Sequence, residues 1–250
     1  MLAIVKPEEE LNKIRVSGSI VAEIHKELKK LIVPGVTTDI LEQATLDITA
    51  KHKAKPSFLG YRGFPFATCV SVNEVIVHGF PSAKMILLEG DIVGVDVGVL
   101  KDGYHGDAAF TMIVGESRSK EDELLLAAGK ECLTKAIAIV KDGTYLGDIG
   151  NIIETTAKQY NFDVVRNYVG HGIGKNLHEY PQINNYGKPK TGLKLKAGMA
   201  ICIEPMLTIG SSDNHTLSDG WTVVTNTGNN AAHFEHQLIV HKDRAEIVSI

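Results

Sequence analysis

The sequence predicts an α/β (α+β) protein built from two similar halves. Three observations carry this expectation. Apolar spacing alternates between a helical period of about 3.6 residues and a strand period of about 2. The order helix, helix, strands runs twice along the 250 residues. Matching segments also recur at a nearly constant offset. LLEGDIVGVD at 87–96 and LKAGMAICIE at 195–204 lie 108 residues apart, each with a Leu three before a Gly and an acid six after it.

The elements follow in order. Residues 6–35, KPEEELNKIRVSGSIVAEIHKELKKLIVPG, open with Pro and acids. They space apolar side chains at 11, 14, 21, 24, 28 and 31 and stop at Pro34-Gly35, which describes an amphipathic helix. TTDILEQATLDITAKH is a second helix with Thr37 or Thr38 as its N-cap. Strand-like ATCVSVNEVIVHG, DIVGVDVGVL and YHGDAAFTMIVG come next. The order then returns: a helix capped by Ser119 with Asp122 three residues on, and a second helix in GDIGNIIETTAKQY. Strand-like FDVVRNYVGHG, MAICIEPML, GWTVVTNTG and AAHFEHQLIVH complete it. VPGVTTDI at 33–40 also resembles VKDGTYLGDI at 140–149. The expected organisation is one domain over residues 1–250, with halves of roughly 1–115 and 116–250 related by a pseudo-two-fold axis. A site between them would take residues from both.

A net charge of −4 argues against DNA, RNA or an anionic membrane as the main partner. KHKAK at 51–55 reads as a solvated helix end. Three scattered cysteines, Cys69, Cys132 and Cys202, form no C-x-x-C and read as reduced thiols of a cytoplasmic protein. The first residues, MLAIVKPEEELNK, are acidic and lack a secretory apolar core. No run approaches the ~20 apolar residues of a membrane span.

Four acids stand inside apolar β-runs: Asp96, Asp107, Glu204 and Glu235. One such acid is ordinary on a half-exposed strand. Four ask for a reason. Asp96 and Asp107 flank the turn signal LKDG. A hairpin closed at Lys101-Asp102 pairs residues whose numbers add to 203, which sets the two aspartates opposite each other. Bare carboxylates there would repel, and a bound cation removes the conflict. An imidazole in the set would favour a transition metal over Ca²⁺ or Mg²⁺. His171, ending the strand VVRNYV, is the candidate. In VVRNYVGHGIGKNLHEYPQI, Pro181 cuts off the helix that a phosphate loop needs. The glycines at 170, 172 and 174 therefore let backbone pass close to the site at angles other residues avoid. Four acids and one His suit two metals, which is hydrolase chemistry.

VIVHGFP, DVGVLKDGYHGDAAFTMIVG, GHGIGKNLHEYPQI, ICIEPM, DGWTVVT and FEHQLIV together resemble the motifs of the type I methionine aminopeptidases, over essentially the whole chain. The resemblance implies the pita-bread fold, with a central antiparallel sheet covered by helices, in a minimal, bacterial-style form. It implies two divalent ions of iron, manganese, cobalt or zinc on Asp96, Asp107, His171, Glu204 and Glu235, with Asp107 and Glu235 bridging. It further implies Glu204 as acid/base, His178 at the carbonyl oxygen of the scissile peptide and His78 on its leaving side. The methionine pocket would be Tyr61, Phe64, Cys69, Leu177 and Trp221, with Phe58 and Tyr168 nearby. Leu177 departs from the Phe usual in the family, Phe64 from Tyr and Phe58 from Cys, and a smaller Leu wall would admit a different range of side chains. The implied partner is the N-terminal Met of nascent polypeptides, with a small second residue. A monomer and transient association with the ribosome go with that role.

The remaining histidines read blandly. His105 and His236 flank ligand acids, but strand alternation turns them to the opposite face. His233 shares the parity of Glu235 and stands as a supporting residue behind the ligands. Two rival functions are a pita-bread peptidase cutting before Pro and a non-catalytic binding module. The former usually carries an extra N-terminal domain, and the latter typically loses ligands.

Overall fold

The computed structural model describes residues 4–250, so the first three residues of the stretch read for a leader lie outside it. The first half holds α1 (Glu8–Leu31), α2 (Asp39–Lys51), β1 (Lys55–Pro56), β2 (Thr68–Val72), β3 (Val75–Val77), β4 (Ile92–Lys101) and β5 (Tyr104–Ile113). The second holds α3 (Lys120–Ala138), α4 (Leu146–Gln159), β6 (Asp163–Val164), β7 (Gly170–Gly172), β8 (Glu179–Ile183) and β9 (Ala200–Ile203). It continues with β10 (Met206–Thr208), β11 (Asn214–Thr216), β12 (Val223–Thr225), β13 (Ala231–His233), β14 (His236–Val240) and β15 (Ala245–Ile247). Among the described residues no helix is long and apolar enough to cross a membrane.

α1 forms where the acids of its first turn and Lys29 and Lys30 of its last complement the helix dipole. Its buried stripe of Leu11, Ile14, Val21, Ile24 and Leu28 faces β4 and β5. Small residues set how closely it docks. The Ser17 hydroxyl donates to the carbonyls of Lys13 and Tyr104, both at 2.9 Å, and Gly106 of β5 passes directly against the Ser17 backbone. Ser119 caps α3 as expected, accepting from the Asp122 amide at 3.3 Å. Thr38 takes the N-cap position of α2 without capping it. Its hydroxyl instead accepts from Ser82 N at 2.8 Å and donates to Ser82 O at 3.2 Å. A tertiary loop has claimed the hydroxyl.

The first half builds a sheet in which β4 is flanked by β5 on one side and by β2 and β1 on the other. The second half builds the order β15-β14-β9-β7-β8. Both are antiparallel, and an isolated antiparallel bridge between Ala109 and Glu235 joins them. The 108-residue offset recurs as hydrogen bonding: Gly35 N donates to Leu87 O and Gly143 N to Leu195 O, each at 2.8 Å. The bridge Thr37–Ile86 likewise has its counterpart in Tyr145–Lys194. Each half buries its own core. One packs Ile24, Leu28 and Leu41 on Val93 and Val95, and the other packs Leu125, Ile149 and Ile153 on Ile201 and Leu238. Each such side chain contributes about 1.5–3 kcal/mol on burial.

The β4–β5 register corrects the expected one. Asp96 pairs with Ala109, and Asp107 pairs with Gly98. The turn is Asp102-Gly103, with φ of 50° and 82°, rather than Lys101-Asp102. Two successive left-handed residues match the right-handed strand twist, and Asp-Gly supplies them most easily. The aspartates are consequently diagonal neighbours on one face.

Replacement of Gly106 tests the docking of α1, because a Cβ there would lie 2.5 Å from the Ser17 carbonyl carbon. Gly106→Ala is expected to lower the unfolding free energy by about 3 kcal/mol, read as a shift of the urea midpoint at unchanged slope.

Candidate metal centre and adjoining pocket

Asp96 and Asp107 come from β4 and β5, His171 from β7, Glu204 from the end of β9, and Glu235 from the residue before β14. The middles of β4 and β5 from the first half and the ends of β9 and β14 from the second thus meet beside the joining bridge. Asp107, Glu235 and His171 are only 3%, 2% and 5% exposed, while Asp96 and Glu204 are half-buried and face the cleft. Asp96 Oδ1, Asp107 Oδ1 and Glu235 Oε1 are buried with no hydrogen-bond partner among the described residues. Such orphaned acceptors are costly unless something else satisfies them.

The electrostatics agree. Burial pushes the Asp96 carboxyl up to about 7, and a hydrogen bond shared with Asp107 limits the rise. Asp107, Glu204 and Glu235 are all held well above the usual carboxylate range, by burial first and then by neighbouring carboxylates. Burial lowers His171 to about 4, so its imidazole is neutral near pH 7. Its Nδ1–H donates to Gly172 O at 2.9 Å, which leaves the Nε2 lone pair aimed at Glu204 Oε1 (3.6 Å) and Asp107 Oδ2 (3.8 Å). With a neutral ring these contacts are not ion pairs. They are donors converging on a common point. One donor atom each from Asp107, His171, Glu235 and Cys202 all lie within 4.8 Å of one another. Orphaned carboxylates around an imidazole lone pair fit divalent transition metals.

The centre forms the floor of a cleft of about 1030 Å³. All the pocket residues expected from the sequence line it: Phe58, Tyr61, Phe64, Cys69, Tyr168, Leu177 and Trp221. Phe64 meets Trp221 edge to face at 5.1 Å and is backed by Phe80 at 5.5 Å. Leu177 is 2% exposed and packs in the same apolar cluster. Gly98, the partner of Asp107, has no side chain because the Phe58 ring occupies that space, 2.6 Å from where a Cβ would stand.

His78 and His178 stand in the cleft wall. His78 is held at φ 60°, a conformation that costs a non-glycine residue of order 1–3 kcal/mol and clusters at functional sites. Its ring stands edge-on to Tyr168 at 5.5 Å and to Trp221 at 6.1 Å, and burial lowers it to about 4. His178 Nδ1 lies 2.8 Å from the Tyr61 hydroxyl, and its ring is 4.3 Å from that of His171. Burial lowers it to about 3. His233 Nε2 is buried without a hydrogen-bond partner, 3.7 Å from Glu204 Oε2. His105 and His236 turn away as alternation required, to Ser57 (2.8 Å) and Ser249 (3.0 Å).

The three glycines of the GHGIG stretch work through proximity and not through unusual dihedral angles, since none has a left-handed φ. A Cβ on Gly170 would strike the Cys202 carbonyl, one on Gly172 the Tyr180 carbonyl, and one on Gly174 the Lys6 side chain. A strand, β8, follows them with Pro181 inside it.

Three features escaped the sequence reading. Lys6 Nζ meets Glu179 Oε2 at 2.8 Å with side chains 3% and 6% exposed, and Glu179 also accepts from Asn176 N at 3.1 Å. This pair ties the segment before α1 to the loop carrying Leu177 and His178. Gln237 accepts from Asp107 N at 3.2 Å and donates to His105 O at 3.1 Å, which holds β5 in place. Cys202 was read only as a reduced thiol. Its position two residues before Glu204 was the available signal, because strand parity puts both on one face.

Comparison with known proteins agrees with this geometry. The model of metallopeptidase family M24 matches residues 12–242. The chain is 45% identical over 248 residues to methionine aminopeptidase 1 of Bacillus subtilis, covering 99% of each. The crystal structure of methionine aminopeptidase from Thermotoga maritima superposes with a TM-score of 0.97 at 45% identity, again over 99% of both chains. Prolidase from Pyrococcus horikoshii, at 22% identity and TM-score 0.79 over 99% of this chain and 64% of its own, shares the pita-bread fold. A buried carboxylate–imidazole centre between two similar halves, carried on this sequence, belongs to the M24 metallopeptidase family.

Proposed function

We propose that the chain is a metal-dependent methionyl aminopeptidase that removes the initiator methionine from nascent proteins and peptides, preferring a small second residue. The observation that carries this reading is the orphaned carboxylate cluster around neutral His171, opening directly onto an apolar cleft. In this reading the whole chain is one catalytic domain, because the first half supplies Asp96 and Asp107 and the second supplies His171, Glu204 and Glu235.

Two divalent ions held by these five residues, with Asp107 and Glu235 shared, would supply an activated water and polarise the scissile carbonyl. Iron, manganese, cobalt and zinc all suit the donors. The residues do the rest. Tyr61, Phe64, Cys69, Leu177 and Trp221 would enclose a thioether side chain, with Phe58 and Tyr168 nearby. When the Tyr61 hydroxyl donates to His178 Nδ1, Nε2 carries the proton and can donate to the carbonyl oxygen as it gains charge. His178 is kept neutral by burial, so it donates this hydrogen bond without delivering a full proton. His78, oriented by Trp221, hydrogen-bonds the peptide on the leaving side. Glu204, at the cleft-facing end of β9, would take a proton from the water and pass it to the departing amine. His233 stands behind Glu204, with Nε2 3.7 Å from Oε2. A nascent-chain substrate goes with a cytoplasmic monomer that meets the ribosome transiently.

Release of methionine from Met-Ala-Ser tests the reading. Chelation is expected to abolish it, and Mn²⁺, Co²⁺ or Fe²⁺ to restore it separately. Cleavage of Ala-Pro peptides in preference would move the chain to the proline-directed peptidases, and no release with any ion in folded protein would make it a binding module. Glu204→Gln is expected to lower kcat by about 10²–10⁴, and retention of more than roughly a tenth of wild-type turnover removes the proton-shuttle role. Leu177→Phe is expected to reorder kcat/KM among Met, norleucine and Leu substrates by about tenfold, the effect of a methylene in an apolar pocket. Unchanged ratios take Leu177 out of the specificity wall.

A further inference from the structure

Cys202 is a buried thiol that the mechanism leaves unused. It lies in β9 between two strands, paired with His171 of β7 on one side and Gln237 of β14 on the other. Strand parity sends its side chain to the same face as Glu204, away from the core that takes Ile201 and Ile203. It is fully buried. The Sγ atom is one of the four donors that lie within 4.8 Å of one another, with Asp107, His171 and Glu235.

The other three donors independently point to an ion. Asp107 Oδ1 and Glu235 Oε1 are buried and without partners, and the His171 Nε2 lone pair is aimed at the same point. An ion with bonds of about 2.0–2.3 Å can span ligands up to ~4.6 Å apart, so small side-chain rotations bring all four donors around one ion. The two metal positions of the proposed centre then differ in kind. The position served by Asp96 sees oxygen donors. The position served by His171 adds an imidazole and, from Cys202, a sulfur.

We propose that Cys202 is a direct donor to the ion held by Asp107, His171 and Glu235, and that it makes this one position selective for thiophilic ions such as Zn²⁺, Co²⁺ and Cd²⁺. Thiolate ligands favour such ions, whereas Mn²⁺ and Mg²⁺ prefer oxygen. The proposal rests on the reading of these residues as a metal centre, and the experiment separates the two.

Metal-free full-length protein is titrated with Co²⁺ and followed by absorption. The visible d–d bands report bound cobalt, and a near-ultraviolet thiolate-to-cobalt charge-transfer band reports sulfur ligation. Wild type is expected to show both. Cys202→Ser is expected to keep the visible bands and lose the charge-transfer band, and Cys69→Ser to keep both. Competition titrations are expected to show Cd²⁺ affinity falling about 10–100-fold in Cys202→Ser while Mn²⁺ affinity changes by less than about twofold. Bound cobalt without a charge-transfer band in wild type overturns the proposal, as does a band that survives Cys202→Ser or a parallel loss of Cd²⁺ and Mn²⁺. No cobalt uptake at all overturns both the proposal and the metal centre beneath it. Should Cys202→Ser fail to fold, cadmium NMR of the unmodified chain decides, because a sulfur ligand moves the resonance far downfield of an all-oxygen-and-nitrogen site.

Discussion

Four carboxylates brought within reach of one another in a buried site repel, and the architecture of this chain is organised around tolerating that repulsion. In water each would ionise freely. Here burial and mutual charge hold Asp107, Glu204 and Glu235 high and push Asp96 up to about 7, so the metal-free site keeps protons it would otherwise lose. A cation reverses the balance. The surroundings keep the acids from relaxing outward. Gln237 grips the Asp107 amide, and the Ala109–Glu235 bridge fixes Glu235 to the opposite sheet. Thr111 Oγ1 donates to the His233 carbonyl at 2.6 Å and accepts from its amide at 3.0 Å, pinning the strand that leads into Glu235.

That joining bridge also explains the use of two similar halves. Each half supplies an antiparallel sheet that carries acids facing the other half, in mid-strand in the first and at strand ends in the second, and each covers its sheet with a pair of helices over a separate core. Neither half by itself brings more than part of the ligand set together. Within each half the backbone passes unusually close to its neighbours. Gly98 and Gly106 meet the Phe58 ring and the Ser17 backbone of α1, and Gly170 and Gly172 meet the Cys202 and Tyr180 carbonyls, so a methyl group at any of them would clash.

The apolar cleft is supported from further out. Phe66 and Phe80 lie 5.1 Å apart behind Phe64, and the buried Lys6–Glu179 pair anchors the loop carrying Leu177 and His178. A buried pair of this kind contributes more to fixing a conformation than to net stability, yet removing one partner leaves the other charge stranded at about 3–5 kcal/mol. His78, strained at φ 60°, stands edge-on to the Tyr168 and Trp221 rings in the cleft wall.

Much of this was legible in the residues alone, for reasons of local chemistry. Helix periodicity, the Ser119 cap, acids inside apolar β-runs and the 108-residue repeat are properties of neighbouring residues, and they place elements and parity without knowledge of partners. The Asp-Gly signal for the turn was present too, but centring it one residue early displaced the register and set Asp96 opposite Asp107 instead of diagonal to it. Tertiary structure decided the rest, because the deciding groups are far apart in the chain. The Thr38 hydroxyl was claimed by Ser82, 44 residues away, and Lys6 found Glu179 across 173. The glycines of GHGIG serve close approach to Cys202, Tyr180 and Lys6, which no local dihedral preference could reveal. Cys202 stands beside Asp107 only because β9 lies between β7 and β14, a sheet order set by long-range pairing and not by any residue near it in sequence.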